Sequence, residues 1–261
     1  MRGFLLLYNA IMSWAARRQA KYLLGTISVL MVLIGLPLFF HFYEKPSCFD
    51  GKQNNMEEGI DCGGPCEKVC SFQAVDPIVH WKQRFQIVPG MYSVVALVEN
   101  ANDSYESESV PYIFRLYDST NVFIAERRGR VHLTPHSVIP IFETGISTGE
   151  RIPGRVEFSF EEAIPWVRST FTRPDVTVLS RRLDEKQGTP RLFVTVRNNT
   201  LETFSSVPVV VVLYDVNGNA VHSSRTVAVR IPGTSDTELV FTWPQQFISP
   251  VARIDVFMLF D

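Results

Sequence analysis

Four cysteines fall within one short stretch, Cys48, Cys62, Cys66 and Cys70, in the pattern C-x13-C-x3-C-x3-C. An even, clustered set of this kind reads as two disulfides in an oxidising compartment, and spacing does not separate the three possible pairings. A structural zinc site is the alternative, although zinc sites hold tetrahedral geometry with C-x2-C pairs and the close spacings here are x3. Between the cysteines, Asp50, Asn54, Glu57, Glu58 and Asp61 supply hard oxygen ligands of the kind that suits calcium. A loop too small for a core is also simply polar and stapled by its bridges.

Catalytic patterns are sparse. Gly145-Ile146-Ser147-Thr148-Gly149 satisfies G-x-S-x-G, yet a nucleophile elbow needs a strand before the serine and a helix after it, and Glu150-Arg-Ile-Pro-Gly reads as a loop. His132 and His136 would share one face of a helix, but Pro135 and the surrounding β pattern remove that geometry. His80 and His222 stand alone in strand-like runs and read as surface histidines. No glycine-rich phosphate loop occurs, and no cofactor is called for. Arg127-Arg128-Gly129-Arg130 and Arg181-Arg182 are small basic clusters, suited to guarding strand edges or to surface ion pairs rather than to nucleic acid. Trp81, Trp166 and Trp243 fit buried packing better than a binding face. Asn102-Asp-Ser and Asn198-Asn-Thr are glycosylation sequons.

The elements that hold these residues divide sharply. Of 261 residues 46% are hydrophobic, and 25 basic side chains face 27 acidic ones, which excludes a disordered chain, a fibrous repeat and a strongly basic nucleic-acid binder. The net charge of −2 conceals a partition: residues 1–43 hold Arg2, Arg17, Arg18 and Lys21 and no acid, so this part carries +4 and the remainder −6. Residues 22–43 contain no Asp, Glu, Lys or Arg and are long enough to cross a hydrocarbon core of about 30 Å as one transmembrane helix. Basic residues before the span and a cancelling Glu44-Lys45 after it put the N-terminus in the cytoplasm and residues 44–261 outside. The apolar run is longer than a cleavable signal core and no small-x-small site follows it, so an uncleaved signal-anchor is expected. Gly3 to Ala16 is too short to span and suits the inner interface.

Beyond residue 72 the chain matches itself at an offset near 98. Val110-Pro-Tyr-Ile-Phe-Arg-Leu-Tyr-Asp118 aligns with Val207-Pro-Val-Val-Val-Val-Leu-Tyr-Asp215, Val95 to Asn100 answers Val194 to Asn199, and Arg155-Val-Glu answers Arg253-Ile-Asp. This period is too long for a solenoid and marks duplicated domains. Short runs rich in Val, Ile, Phe, Tyr and Thr, divided by turn signals such as Gly129 and Asn217-Gly218, read as all-β, with Asn-Gly forming a type I′ hairpin turn. Five to seven strands per unit predict two tandem β-sandwiches of immunoglobulin or fibronectin type III-like architecture, with Pro165 and Pro174 bracketing the join.

Two resemblances accompany these residues. Cys48 to Cys70, with C-x-D-G-x-x-N and E-x-G-x-D-C-G-G-x-C, resembles a short cysteine module of secreted and surface proteins, which implies an extracytoplasmic setting and no chemistry. Phe114-Arg115-Leu116-Tyr117-Asp118 matches the motif of the FxLYD family of extracytoplasmic β-sandwich modules, and Val211 to Asp215 is similar with Val in place of Phe. That resemblance covers both units and implies a fold and an envelope setting without any catalytic residue.

The expected organisation is a basic cytoplasmic arm (1–21), a transmembrane helix (22–43), a disulfide-rich neck (44–71) and two β-sandwiches (72–168 and 169–261). The expected function is a non-enzymatic binding or scaffolding module that has the bilayer and an extracytoplasmic protein as partners and no nucleic acid. An accessory subunit of an envelope or secretion assembly is the alternative, and a hydrolase using Ser147 is third.

Overall fold

The computed structural model describes residues 14–42, 47–185 and 188–260. Its helix, α1, runs Trp14–Phe42 and contains Pro37. It begins eight residues ahead of Tyr22, because Ala15 to Lys21 is made of strong helix formers. Arg17, Arg18 and Lys21 therefore lie on the helix rather than before it, and the Arg18 guanidinium sits 4.9 Å over the Trp14 ring one turn away. At 1.5 Å per residue α1 is about 43 Å long, the thickness of a bilayer with its headgroup layers. Its most apolar stretch has no residue buried against the rest of the protein. The expectation for Gly3 to Ala16 falls largely on residues 1–13, outside the described residues.

The remainder is β. The first half comprises β1 (Ile78–Val88), β2 (Met91–Asn100), β3 (Tyr105–Tyr117), β4 (Phe123–Leu133), β5 (Ser137–Ser147), β6 (Arg155–Phe160) and the two-residue β7 (Val167–Arg168). The second comprises β8 (Val176–Asp184), β9 (Arg191–Asn198), β10 (Phe204–Tyr214), β11 (Ala220–Ile231), β12 (Asp236–Thr242) and β13 (Arg253–Met258). They form antiparallel sheets ordered β1-β2-β5, β4-β3-β6, β12-β9-β8 and β11-β10-β13, with β7 on the start of β3.

Strand periodicity decides which faces meet. In β2, Val94, Ala96 and Val98 enter a cluster with Val110, Tyr112, Phe114 and Leu116 of β3. In β9, Leu192, Val194 and Val196 join Val207, Val209, Val211 and Leu213 of β10. The opposite faces of β2 and β10 are buried too, since Val95, Phe85 and Phe142 pack with Val210, Val212 and Tyr214 in a third cluster that joins the halves. This explains why Val207 to Tyr214 reads as an unbroken apolar run instead of alternating: both faces are covered. Each such Val or Leu contributes roughly 1.5–3 kcal/mol by leaving water. Every outer strand carries a charged residue, from Lys82 and Arg84 on β1 to Arg181 and Arg182 on β8, which discourages pairing with foreign chains.

Two buried asparagines close the loops behind the sheets. Asn100 Nδ2 donates to the carbonyls of Tyr105, Leu133 and Thr134, and its Oδ1 accepts from the Asn102 amide. Asn198 Nδ2 donates to the carbonyls of Glu202 and Ile231, and its Oδ1 accepts from Thr200. Asn100 thus corresponds to Asn198, not to Asn199; the alignment of Val95 with Val194 is one residue out of step, which in a strand exchanges the two faces.

Two turn assignments also change. Gly129 lies inside β4 opposite Tyr112, where a Cβ would run into the tyrosine hydroxyl. The Asn217-Gly218 hairpin has positive φ at Gly218 (81°) but not at Asn217, so it is not type I′; Tyr214 pairs Ala220 across a bulge.

Replacing Asn198 by Ala removes the donor to the Glu202 and Ile231 carbonyls and the acceptor of the Thr200 amide and leaves a hole in a buried site, and is expected to destabilise the protein by about 3 kcal/mol, whereas the exposed Asn199→Ala costs under about 1 kcal/mol. Urea unfolding followed by tryptophan fluorescence measures both.

Candidate functional site

In the neck the pairing is Cys48 with Cys66 and Cys62 with Cys70. Paired in this way, the sulfurs offer no thiolate to zinc. Cys48, Cys66 and Glu57 lie close enough to share an ion, but only the carboxylate of that group has a ligand to give. The calcium candidates Asp50, Asn54, Glu57 and Asp61 do converge, and they converge on N–H donors. Asp50 accepts from the amides of Ser47 and Lys52 and from Asn54 Nδ2. Asp61 accepts from the amides of Asp50 and Gly51. Buried Glu57 accepts from the amides of Asn54 and Asp61. Asn54 Oδ1 is buried without a partner among the described residues, and one such oxygen is far from the six to eight that calcium takes. Glu58 lies on the surface, where it accepts from Gln73 Nε2 at 2.5 Å. The D-C-G-G-x-C spacing is explained by the same frame: at Gly64, with φ of 55°, a Cβ would strike the Met56 carbonyl.

The neck is built into the body. The Val69 amide donates to the Trp166 carbonyl at 2.9 Å, the Arg168 amide to the Glu67 carbonyl at 3.1 Å, and Lys68 bridges Val167. Residues 67–69 thereby add to β7, which in turn pairs with β3 at Tyr105 and Glu106. Val69 and Trp166 are both buried in the first cluster. The segment between Pro165 and Pro174 is consequently not a free linker at its start.

The L-Y-D residues do structural work of three kinds. Phe114 and Leu116, like Val211 and Leu213, are core residues on one strand face. Tyr117 lies under the Arg155 guanidinium at 4.4 Å and donates to Glu157 at 3.1 Å; Tyr214 lies under Arg253 at 4.0 Å, and Arg253 pairs with Asp255 at 3.2 Å. Asp118 Oδ1 accepts from the amides of Thr120 and Val122, and Asp215 Oδ1 from those of Asn217 and Asn219. The hydrogen bond from the Thr120 side chain leads in holding the Asp118 carboxyl below its ordinary range, and the Asn219 amide leads for Asp215.

The chain matches no protein-family model and no curated protein.

The remaining candidates are dispersed. Ser147 is exposed at the end of β5 opposite Met91, and a turn follows it rather than a helix. His136 meets exposed Asp103 at 3.0 Å, and His80 meets Glu99 at 2.7 Å. His132 is set back in the protein 3.4 Å from Glu106, its ring against Phe171. His222 departs from the surface reading: its ring stacks on Phe247 at 3.9 Å, and burial holds its pKa below the usual value. Trp166 and Trp243 are buried, and Trp81 meets Tyr214 edge-on. Arg128 pairs with Glu126 and Glu161 on the β4 edge, and Arg182 stacks on Phe193. Where the halves meet, a cleft of about 250 Å³ is lined by Arg130, His132, Phe171, Arg173, Val256 and Phe260, among others. The sequon asparagines Asn102 and Asn198 are buried with their amides engaged, so neither is an acceptor in the folded protein. The sequence reading missed the buried asparagines and the arginines over the tyrosines, although the matching R-V-E and R-I-D triplets were a signal for the latter.

Asp50, Asp118 and Asp215 have folded-state pKa values below the ordinary 3.8. Their contribution to stability is complete above the unfolded pKa and is lost as pH falls through the lower folded values. The double variant Asp118→Asn, Asp215→Asn is therefore expected to be less stable at neutral pH and to lose less stability than the parent below about pH 4, measured as urea midpoints across that range.

Proposed function

We propose that this chain is a single-pass membrane protein, N-terminus inside, that displays two tandem immunoglobulin or fibronectin type III-like β-sandwiches outside the cytoplasm as a non-enzymatic binding or scaffolding module. The observation that carries this reading is the division of labour along the chain: an apolar helix with its surface uncovered leads into an oxidised neck, and that neck is hydrogen-bonded into a β body. Disulfides belong to a compartment outside the reducing cytoplasm, and the positive charge of Arg17, Arg18 and Lys21 in the first turns of α1 orients the chain. Matching bonds made by Asn100 and Asn198, and by Asp118 and Asp215, support a duplicated unit similar to FxLYD modules. A non-catalytic role is favoured because the motif residues are engaged in holding backbone and core, and because Ser147 lies on a strand end without the helix its chemistry needs.

Charged outer strands leave loops and the junction cleft as the surfaces for a protein partner. The accessory-subunit reading draws on the same exposed helix as a contact for other spans. Exchanging residues 22–43 for an unrelated span separates the two, since a display module keeps its partners and a subunit that assembles through its helix loses them.

The topology is tested in intact cells with a membrane-impermeant maleimide. The neck cysteines are expected to react from outside once a reductant is added, while a tag on the N-terminus stays protected from external protease. Labelling only after permeabilisation would contradict the orientation.

A further inference from the structure

The neck and Phe72, the residue just after it, carry large apolar side chains that stand exposed among the described residues. Phe49 is 92% exposed, Met56 85%, Phe72 71% and Ile60 61%. Leu201, Val216, Val229 and Ile248 are as exposed on the β body, but they lie on separate loops and on the outer strand β11, where Val227 accompanies Val229. Those of the neck belong to one stapled module. The Asp50 amide donates to Asp61 at 3.0 Å, which sets Phe49 and Ile60 on the two sides of one hydrogen bond. The Phe72 ring comes within 3.7 Å of where a Cβ on Gly59, the neighbour of Ile60, would lie. Met56 is presented at a loop tip by two successive left-handed residues, Asn55 (φ 47°) and Met56 (φ 63°), a conformation uncommon for methionine.

We propose that Phe49, Ile60 and Phe72 insert into the outer leaflet, so that the neck rests on the membrane as a second, interfacial contact beside the helix. The inference rests on the reading of α1 as a membrane span. Phe39 and Phe40 are exposed in the last turns of α1, where an aromatic belt marks the interface. Only residues 43–46 separate Phe42 from Ser47, so the fully extended chain places Ser47, where the described part of the neck starts, at most about 18 Å from the helix end. Apolar side chains held that close to an interface bury themselves in the boundary between headgroups and acyl chains, about 5–10 Å deep. The module carries more acids than bases, so an uncharged or zwitterionic surface suits it and an anionic one does not. Because residues 67–69 are hydrogen-bonded to Trp166 and Arg168, seating the neck also fixes the tilt of the β body.

The test uses the full chain reconstituted in phosphatidylcholine vesicles in a Trp14→Phe background, with Phe49→Trp and Ile60→Trp as separate variants and Ile248→Trp as the control, each introduced indole being read as the difference from the Trp14→Phe chain, whose Trp81, Trp166 and Trp243 lie in the β body. Vesicles containing lipid brominated near the headgroup are expected to quench the indoles introduced in the neck by at least about twofold, with emission shifted to the blue, as burial at that depth requires. The control indole is expected to emit as in water, unquenched. Neck indoles that emit as in water would overturn the proposal, and so would indoles shielded from acrylamide but untouched by bromine, because they would be covered by protein. Flotation with the vesicles reports separately on the anchor: a chain that fails to float refutes the membrane span, whereas one that floats with unquenched neck indoles refutes the seating alone.

Discussion

The third apolar cluster is the constraint on which the arrangement of the β body depends. A sheet with one buried face is satisfied by a single partner sheet, and the rest of each half needs no more than that. Val95, Phe85 and Phe142 on one side and Val210, Val212 and Tyr214 on the other add a second buried face to β2 and β10. Arg225, from β11, lies over Phe142 at 5.5 Å and extends the contact from apolar to cationic. These central strands therefore exchange alternation for continuous burial, and the halves are held face to face instead of by a tether. The junction cleft lies where the chain passes between them.

Residues whose types suggest chemistry are mostly spent on backbone. Carboxylates of the neck satisfy the amides of a loop that has no sheet of its own, which is how so short a segment avoids unpaired polar groups without a core. Asp118 and Asp215 do the same for two hairpins, and Asn100 and Asn198 for the loops behind the sheets. Tyr117 and Tyr214 use a stacked arginine and a nearby acid to hold the end of a strand.

The legible parts of the sequence were those governed by local physics. An uncharged run of bilayer length, clustered cysteines and β-rich periodicity each act over a few neighbouring residues, and the helix, the disulfides and the sheets follow them. Long-range matters were hidden. The pairing of Cys48 with Cys66 depends on where Asp61 and Glu57 fold the loop, not on spacing. Gly129 looked like a turn because its role is to admit Tyr112 from the neighbouring strand. The slip between Asn198 and Asn199 arose because two adjacent asparagines satisfy the same alignment, and only burial tells them apart. Asn217-Gly218 marked a hairpin correctly and its turn type wrongly, since Asp215 takes the loop amides and leaves Gly218 alone in the left-handed region.

Scanning calorimetry of the full chain in detergent micelles tests the coupling of the halves most directly. If the third cluster joins them, β1 to β13 unfold in one transition whose calorimetric and van't Hoff enthalpies agree. Two resolved transitions, or a calorimetric enthalpy about twice the van't Hoff value, would mean that the halves fold independently and that the buried second faces of β2 and β10 do not hold them together.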